Sequence, residues 1–365
     1  MIPVAKPLIG NREWELVADC IQSGWVSSQG KYIAEFERLF SAFCGVKYGV
    51  ATCNGTTALH LALLALGIGS KDEVIVPTLT FIATANAVRY VGASPVFVDS
   101  DPNTWCMDVG KIEKSLTQRT KAIIPVHLYG HPCDMDPIME IVRKHHLWVI
   151  EDAAEAHGAE YKGRRVGGFG DISCFSFFGN KVITTGEGGI CLTNDEELAQ
   201  KMQRLRNQGM DIHKRYWHTD IGYNYRMTNI EAAIGVAQME KIEEMIARKR
   251  NNAQLYSELL KNVEGVTLPV EEKWAKSIYW MYSVLIDENQ PVSRDELILR
   301  LGKDGIETRP LFYPVHLQPP YIPNQYSLPV AEELSRRGIS LPSSAALKKE
   351  QIEYIVQSLA KHLEE

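Results

Sequence analysis

The chain has 365 residues, 45% of them hydrophobic and 23% charged, with a formal net charge of −6. Those values belong to a globular protein large enough for a substantial core and a smaller second domain. They exclude a nucleic-acid binder built on a basic patch, and no run reaches the roughly 18 apolar residues that a membrane span requires. The N-terminal MIPVAKPLIGNREWE carries prolines and charges where a signal peptide needs an apolar stretch. The seven cysteines show neither CxxC nor a metal-like Cys/His spacing. A reduced, metal-free, cytoplasmic protein is the expectation.

In chain order, residues 11–23 form a helical pattern, SGWVSSQG a loop of small residues, and 32–43 a second helix. A strand over 48–53 then meets Asn54, Gly55, Thr56 and Thr57, and an Ala/Leu-rich helix follows to about residue 66. Gly55 lets the backbone turn and approach a ligand, and either threonine can cap the helix. The free amides and dipole of a helix start favour an anion, although an ordinary strand-to-helix turn has the same residues. Strands over 73–77, 95–99 and 120–128 alternate with helices over 78–92 (in part a loop, with Phe81 near its start) and 137–145. That rhythm predicts a mostly parallel sheet with helices on both faces.

Residues 147–150 are a short apolar run that stops at Glu151 and Asp152; a second run, 172–178, stops at Lys181 and the glycine-rich TTGEGG. Such runs read as buried parallel strands, and ligands of these sheets collect at the carboxyl ends of strands. An acid leaving one strand and an amine leaving another suit pyridoxal phosphate, which needs a lysine for its aldehyde and an acid for its ring nitrogen. Neither GxxxxGK[ST] nor GxGxxG is present in its required context. A lysine leaving a buried run has the lowered pKa that such an amine needs, yet a solvated charge or phosphate contact fits the same position. Beyond a helix over 196–206, the stretch 207–229 is a long aromatic and basic loop. Thr228 caps one long helix bridging to a small lobe with strands over 279–286 and 307–312 and helices over 293–305 and 348–363.

IEDAAEAHG, FSFFGNKVITTGEGG and GYNYRMTNIEAAIG together resemble the nucleotide-sugar aminotransferases of the DegT/StrS type, and the likeness runs from IPVAKPLIG through SGWVSSQGKYIAEFE to RPLFYPVH. The resemblance implies the aspartate-aminotransferase-like (PLP transferase type I) fold, with a large α/β domain over 1–235 and a smaller α+β domain over 236–365. It implies pyridoxal 5'-phosphate, alternating with pyridoxamine 5'-phosphate, as cofactor. In that likeness Lys181 links to the cofactor and carries the proton, and Asp152 pairs with the ring nitrogen. Gly55, Thr56 and Ser176 hold the phosphate, Phe81 stacks on the ring, and Glu155 stands where many relatives carry glutamine beside the ring hydroxyl. Asn224 matches a residue that reaches the neighbouring subunit's cofactor, implying a homodimer with sites at the interface, or a tetramer built from it.

Through HLYGHPCDMD, RYWHTDIGYNYRMTN and ETRPLFYPVHLQPPY the likeness is greatest to members that act on a GDP-linked 4-keto-6-deoxy sugar. L-Glutamate would then be the amino donor, and the product a precursor of a surface polysaccharide such as O-antigen. Lys214, Arg215, Arg226 and Arg309 are candidate cations for the pyrophosphate, and His157, Tyr313 and His316 candidates near the sugar. Some relatives carry histidine in place of the lysine and remove a hydroxyl instead; Lys181 favours amination. A dTDP- or UDP-linked acceptor, a pyridoxamine-dependent dehydratase and a cofactor-binding regulator remain the alternatives.

Overall fold

Apolar strands of four or five residues flanked by helices give this chain its large layer, which sets the position of every residue discussed below. The structure is a computed structural model describing residues 1–211, 213–322 and 326–364. Helices α1 (Asn11–Ser23) and α2 (Lys31–Cys44) each end on a left-handed glycine, Gly24 and Gly45. Strand β1 (Tyr48–Thr52) leads into α3 (Gly55–Ala65), β2 (Glu73–Pro77) into α4 (Ala83–Tyr90), and β3 (Ser94–Val98) into β4 (Thr120–Ile123). After α5 (Met135–His145) come β5 (Trp148–Asp152), the two-residue β6 (Glu160–Tyr161) and β7 (Arg164–Arg165), β8 (Ile172–Ser176), β9 (Gly189–Thr193) and α6 (Glu196–Arg206).

Seven of these strands form one sheet in the order β1-β9-β8-β5-β4-β2-β3, parallel except where β9 runs antiparallel to both its neighbours. The carboxyl ends of β2, β4, β5 and β8 therefore share one edge, and β1 ends there too, because Thr52 and Ser176 both pair with Gly189. A Cβ on Gly189 would stand 2.4 Å from the Asn54 carbonyl oxygen, so this strand pairing needs a glycine.

Two expectations change here. The strand over 148–152 continues through both carboxylates instead of stopping before them, because Glu151 and Asp152 keep their ladder partners Ser173 and Cys174. The strand expected to reach residue 128 ends at Ile123: Pro125 donates no ladder bond, and the chain turns at Tyr129, whose φ is +51°.

The expected single helix is two, α7 (Asn229–Met239) and α8 (Ile242–Leu260), with Lys241 at a non-helical φ of −126° between them. The side chains of Gln238 and Lys241 both hold the Leu8 carbonyl and Glu13, which ties the break to the N-terminal segment. Strands β10 (Val266–Thr267), β12 (Tyr282–Ile286), β13 (Arg309–Pro310) and β14 (Gly338–Leu341) form an antiparallel sheet, β10-β12-β14-β13, while β11 (Ala275–Lys276) pairs with β6. Helices α9 (Arg294–Lys303), α10 (Pro329–Arg337) and α11 (Lys349–Glu364) complete this part. Tyr256, Val284, Leu297, Ile339, Ile355 and Leu359 are buried together as its core. The strand expected over 307–312 shrinks to Arg309–Pro310, and α10 and β14 are elements the sequence pattern did not reveal.

Candidate active site

At the carboxyl edge of the large sheet lies a cleft of about 490 Å³, closed on its far side by Trp280, Met281, Arg309, Phe312 and Ser340. Its floor is built where strands stop. Asn54 caps α3 by accepting the Thr57 amide at 2.9 Å, and Thr57 answers with its own hydroxyl on the Asn54 carbonyl at 2.8 Å. The cap thus falls to Asn54 with Thr57, while Gly55 and Thr56 line the cleft with amides that a helix start leaves without intrahelical partners. Ser176, the last residue of β8, faces Gly55 so closely that a Cβ there would lie 2.8 Å from the serine Cβ. A glycine approach, a hydroxyl and a helix N-terminus converge here, the donor set that an anionic phosphate requires.

Glu151 and Asp152 point to opposite faces of β5, as successive strand residues do. Glu151 is fully buried and accepts the amides of Gly167, Phe169 and Gly170 at 2.9, 2.7 and 2.8 Å, with His127 Nε2 at 3.1 Å. Burial works against its charge, but the His127 bond and those amides outweigh it and hold its carboxyl below the ordinary value. Asp152 faces the cleft, accepting the Thr84 hydroxyl at 2.8 Å and the Ala154 amide at 3.2 Å. Burial pushes its carboxyl up, against the Thr84 and Ala154 hydrogen bonds and the charge of Lys181.

Lys181 enters the same cleft from the turn after β8, its side chain 10% exposed. Nζ stands 3.8 Å from Glu155 Oε1 and 3.9 Å from the centre of the Trp280 ring. Burial lowers its proton affinity, and Glu155 and Asp152 pull the other way. Glu155 accepts the Tyr129 amide at 2.9 Å, and burial pushes its carboxyl up to about 7 despite the nearby Lys181 charge. An amine of reduced basicity between two carboxyls, one shifted into the neutral range, is equipped to take and return protons.

Eight of the expected residues meet in this cleft: Gly55, Thr56, Phe81, Asp152, Glu155, Ser176, Lys181 and Arg309. Six do not. His157 is fully buried against the rings of Phe40, Phe175 and Phe177, and burial drives its imidazole down to about 3, so it is a neutral core residue away from the sugar side. His316 is also buried, bonding Thr78 Oγ1 at 2.7 Å and Glu332 at 3.1 Å, a strut between the end of β2 and α10. Tyr313 opens onto a separate groove with Glu288 and Glu333. Arg215 is exposed and lies over the Tyr216 ring, and Lys214 likewise over Trp217. Asn224 is exposed and accepts Arg226 Nε at 2.8 Å; Arg226 also bonds Asn207 at 3.1 Å.

Sequence reasoning missed Thr84, Tyr129, Asn180, Glu187, Trp280 and Phe312, which also line the cleft. Tyr129 stacks against Phe312 (5.3 Å, 18°) and Trp280 (6.1 Å, 9°), forming an aromatic wall opposite the strand ends. Only Thr84 had a usable signal, a hydroxyl in the first turn after the loop that carries Phe81.

A family model described as the DegT/DnrJ/EryC1/StrS aminotransferase family matches residues 7–360. The chain is 52% identical over 359 residues to a GDP-perosamine synthase of Escherichia coli O157:H7 and 50% identical over 360 residues to one of Caulobacter vibrioides; each match covers 98% of this chain and 97% of the relative. Among solved structures, DesV of S. venezuelae, crystallised with a ketimine intermediate, superposes with a TM-score of 0.92 at 36% identity, covering 97% of this chain and 95% of its own.

Proposed function

From the premise that the chain belongs to the DegT/DnrJ/EryC1/StrS aminotransferase family, we propose that it moves an amino group from L-glutamate to C4 of GDP-4-keto-6-deoxy-D-mannose, giving GDP-perosamine. The enzyme is a pyridoxal-phosphate-dependent transaminase. The observation that carries the site assignment is the meeting of Lys181 and Asp152 in one cleft with the helix start at Gly55. The residues present fit the cofactor: the close Gly55–Ser176 approach admits no side chain at position 55 and brings the serine hydroxyl beside the free amides of the α3 start, and a buried acid and a buried amine suit its two ends.

Bound there, pyridoxal phosphate supplies an electron sink conjugated to the substrate nitrogen. The chain supplies the rest. Gly55, Thr56 and Ser176 would hold the phosphate, Phe81 would pack against the ring, and Asp152, oriented by Thr84 and the Ala154 amide, would hold a proton on the ring nitrogen. Lys181 would provide the amine for the aldehyde, and its Nζ would take the proton from the donor's α-carbon and return it on the other side of the nitrogen. Its lowered basicity keeps a share of that amine free to act as base. Glu155, 3.8 Å from Nζ, would serve as a second proton holder. Arg309 is the cation of the cleft wall, placed for an anionic substrate group.

In this reading residues 1–235 bind the cofactor and 236–365 close the substrate side. The protein works in the cytoplasm as a homodimer, with Asn224 and the exposed cations of the 213–226 loop serving the neighbouring site. The identity to the two synthases supports the GDP-sugar. The test offers the purified protein L-glutamate with GDP-, dTDP- and UDP-linked 4-keto-6-deoxy sugars side by side and reads product mass. Amination of the GDP-sugar far ahead of the others is expected. Amination of a dTDP- or UDP-sugar alone, loss of oxygen instead of gain of nitrogen, or no turnover with any of them refutes the reading.

A further inference from the structure

Behind the aromatic wall, α8 carries a buried lysine that no carboxylate neutralises among the described residues. Lys249 Nζ donates to the carbonyls of Trp280, at 3.0 Å, and Ser343. Burial brings this amine down to about 7. A cation held by carbonyls alone is costly to bury, so its position calls for a structural return. That return is visible in what it fixes. Further along α8, Asn252 and Tyr256 hold the carbonyls of Ser344 and Pro342 at 3.1 and 2.9 Å, so one helix clamps the 342–344 segment and Trp280 together. Trp280 is pinned at two more points: its indole N–H donates to the Asn180 carbonyl at 2.9 Å, and its ring stacks on Tyr129. The ring so fixed presents its face to Lys181 Nζ at 3.9 Å.

We propose that Trp280 is a positioning residue for transamination: its indole face is the seat on which the Lys181 ammonium rests whenever that amine is not engaged with the cofactor, and Lys249 locks the seat in place. The proposal rests on the cofactor reading above and assigns residues that reading leaves out. The negative face of an indole attracts a cation without accepting its proton. The groups facing Lys181 are otherwise the Glu155 and Asp152 carboxyls and the neutral His157. Glu155, at 3.8 Å, is beyond hydrogen-bond range, so the indole holds the ammonium near its point of action while leaving it free to depart.

The test uses the full-length chain freed of cofactor, with tryptophans of increasing fluorination at position 280, which keep the shape and weaken the negative face. Added pyridoxal phosphate is captured covalently only by unprotonated Lys181, so the pH midpoint of the capture rate, followed by visible absorbance, reports the proton affinity of that amine. The midpoint should fall stepwise with fluorination, by about one pH unit at the end of the series, the tenfold equivalent of a desolvated cation–π contact, while the final absorbance is unchanged. Lys249→Met should lower the midpoint as well, although loss of a neighbouring positive charge by itself would raise it. A midpoint that stays constant across the fluorinated series while capture proceeds overturns the seat, and a rise in Lys249→Met overturns the lock. No capture by the native chain overturns the cofactor reading and this inference with it.

Discussion

Exchanging Glu151 for glutamine and Asp152 for asparagine, one at a time, separates a carboxylate that holds the fold from one that serves the chemistry. Glu151 Oε1 accepts the amides of Phe169 and Gly170, and Oε2 accepts Gly167 and His127 Nε2. The His127 proton sits on Nε2 because Nδ1 already accepts the Cys133 amide at 3.0 Å, so the imidazole cannot turn acceptor toward a new NH₂ group. Glutamine offers one oxygen and one NH₂, and whichever pair of donors faces the NH₂ loses the acceptor it shares. Two buried donors left unsatisfied cost about 1–3 kcal/mol each, about 2–6 in all; relief from burying a charge offsets part, so the expected loss is about 2–4 kcal/mol.

Asp152 answers differently. Its asparagine keeps an oxygen for the Ala154 amide and donates to the Thr84 hydroxyl, so stability should change by less than about 1 kcal/mol. Its turnover should fall by at least about 10²-fold, the usual cost of one preorganised electrostatic group. Denaturant unfolding of both variants, paired with turnover normalised to folded protein, checks this. Glu151→Gln within about 0.5 kcal/mol of the native chain, or Asp152→Asn with near-native turnover, would refute the division of roles.

Lys181→Ala should abolish covalent capture of pyridoxal phosphate and cost at least the ~10²–10⁴-fold of a lost general acid–base, read from absorbance and turnover; retained capture would place the reactive amine elsewhere. Gly55→Ala drives a Cβ to 2.8 Å from Ser176, so it should cost about 1–3 kcal/mol of stability and weaken cofactor binding about tenfold in a titration. Glu155 has its folded pKa raised to about 7, so the folded chain holds a proton that the unfolded chain has released. The stability this contributes is present at low pH and lost as pH rises through 7; Glu155→Gln should flatten that fall in Tm profiles taken between about pH 5 and 8, and an unchanged slope would count against it.

How far the sequence discloses the site depends on the distance from which each residue gets its role. Lys181 and Ser176 belong to one strand end, and Asp152 closes a neighbouring apolar run, so their convergence follows once the sheet is parallel. Asn54 and Thr57 cap each other within four residues, and that too is local. Glu151 looks like Asp152 in the sequence; its opposite fate is set by three amides 16 to 19 residues later, which no pattern near position 151 announces. Trp280 and Phe312 reach the cleft only because the second sheet folds back over the first, so neither has a periodicity that marks it. His157 shows the converse error. A histidine five residues past the key acid invites a catalytic role, yet the phenyl rings around it come from α2 and from β8 and its exit, and their packing decides the matter against its chemistry. The exposed Lys214, Arg215 and Asn224 lie outside the cleft of their own chain, on a surface loop with four aromatic and basic neighbours in a row, Lys214, Arg215, Tyr216 and Trp217. If that loop serves a neighbour, its role is written in contacts that one chain does not contain, and the identity of its residues is the only part of that role a single sequence can carry.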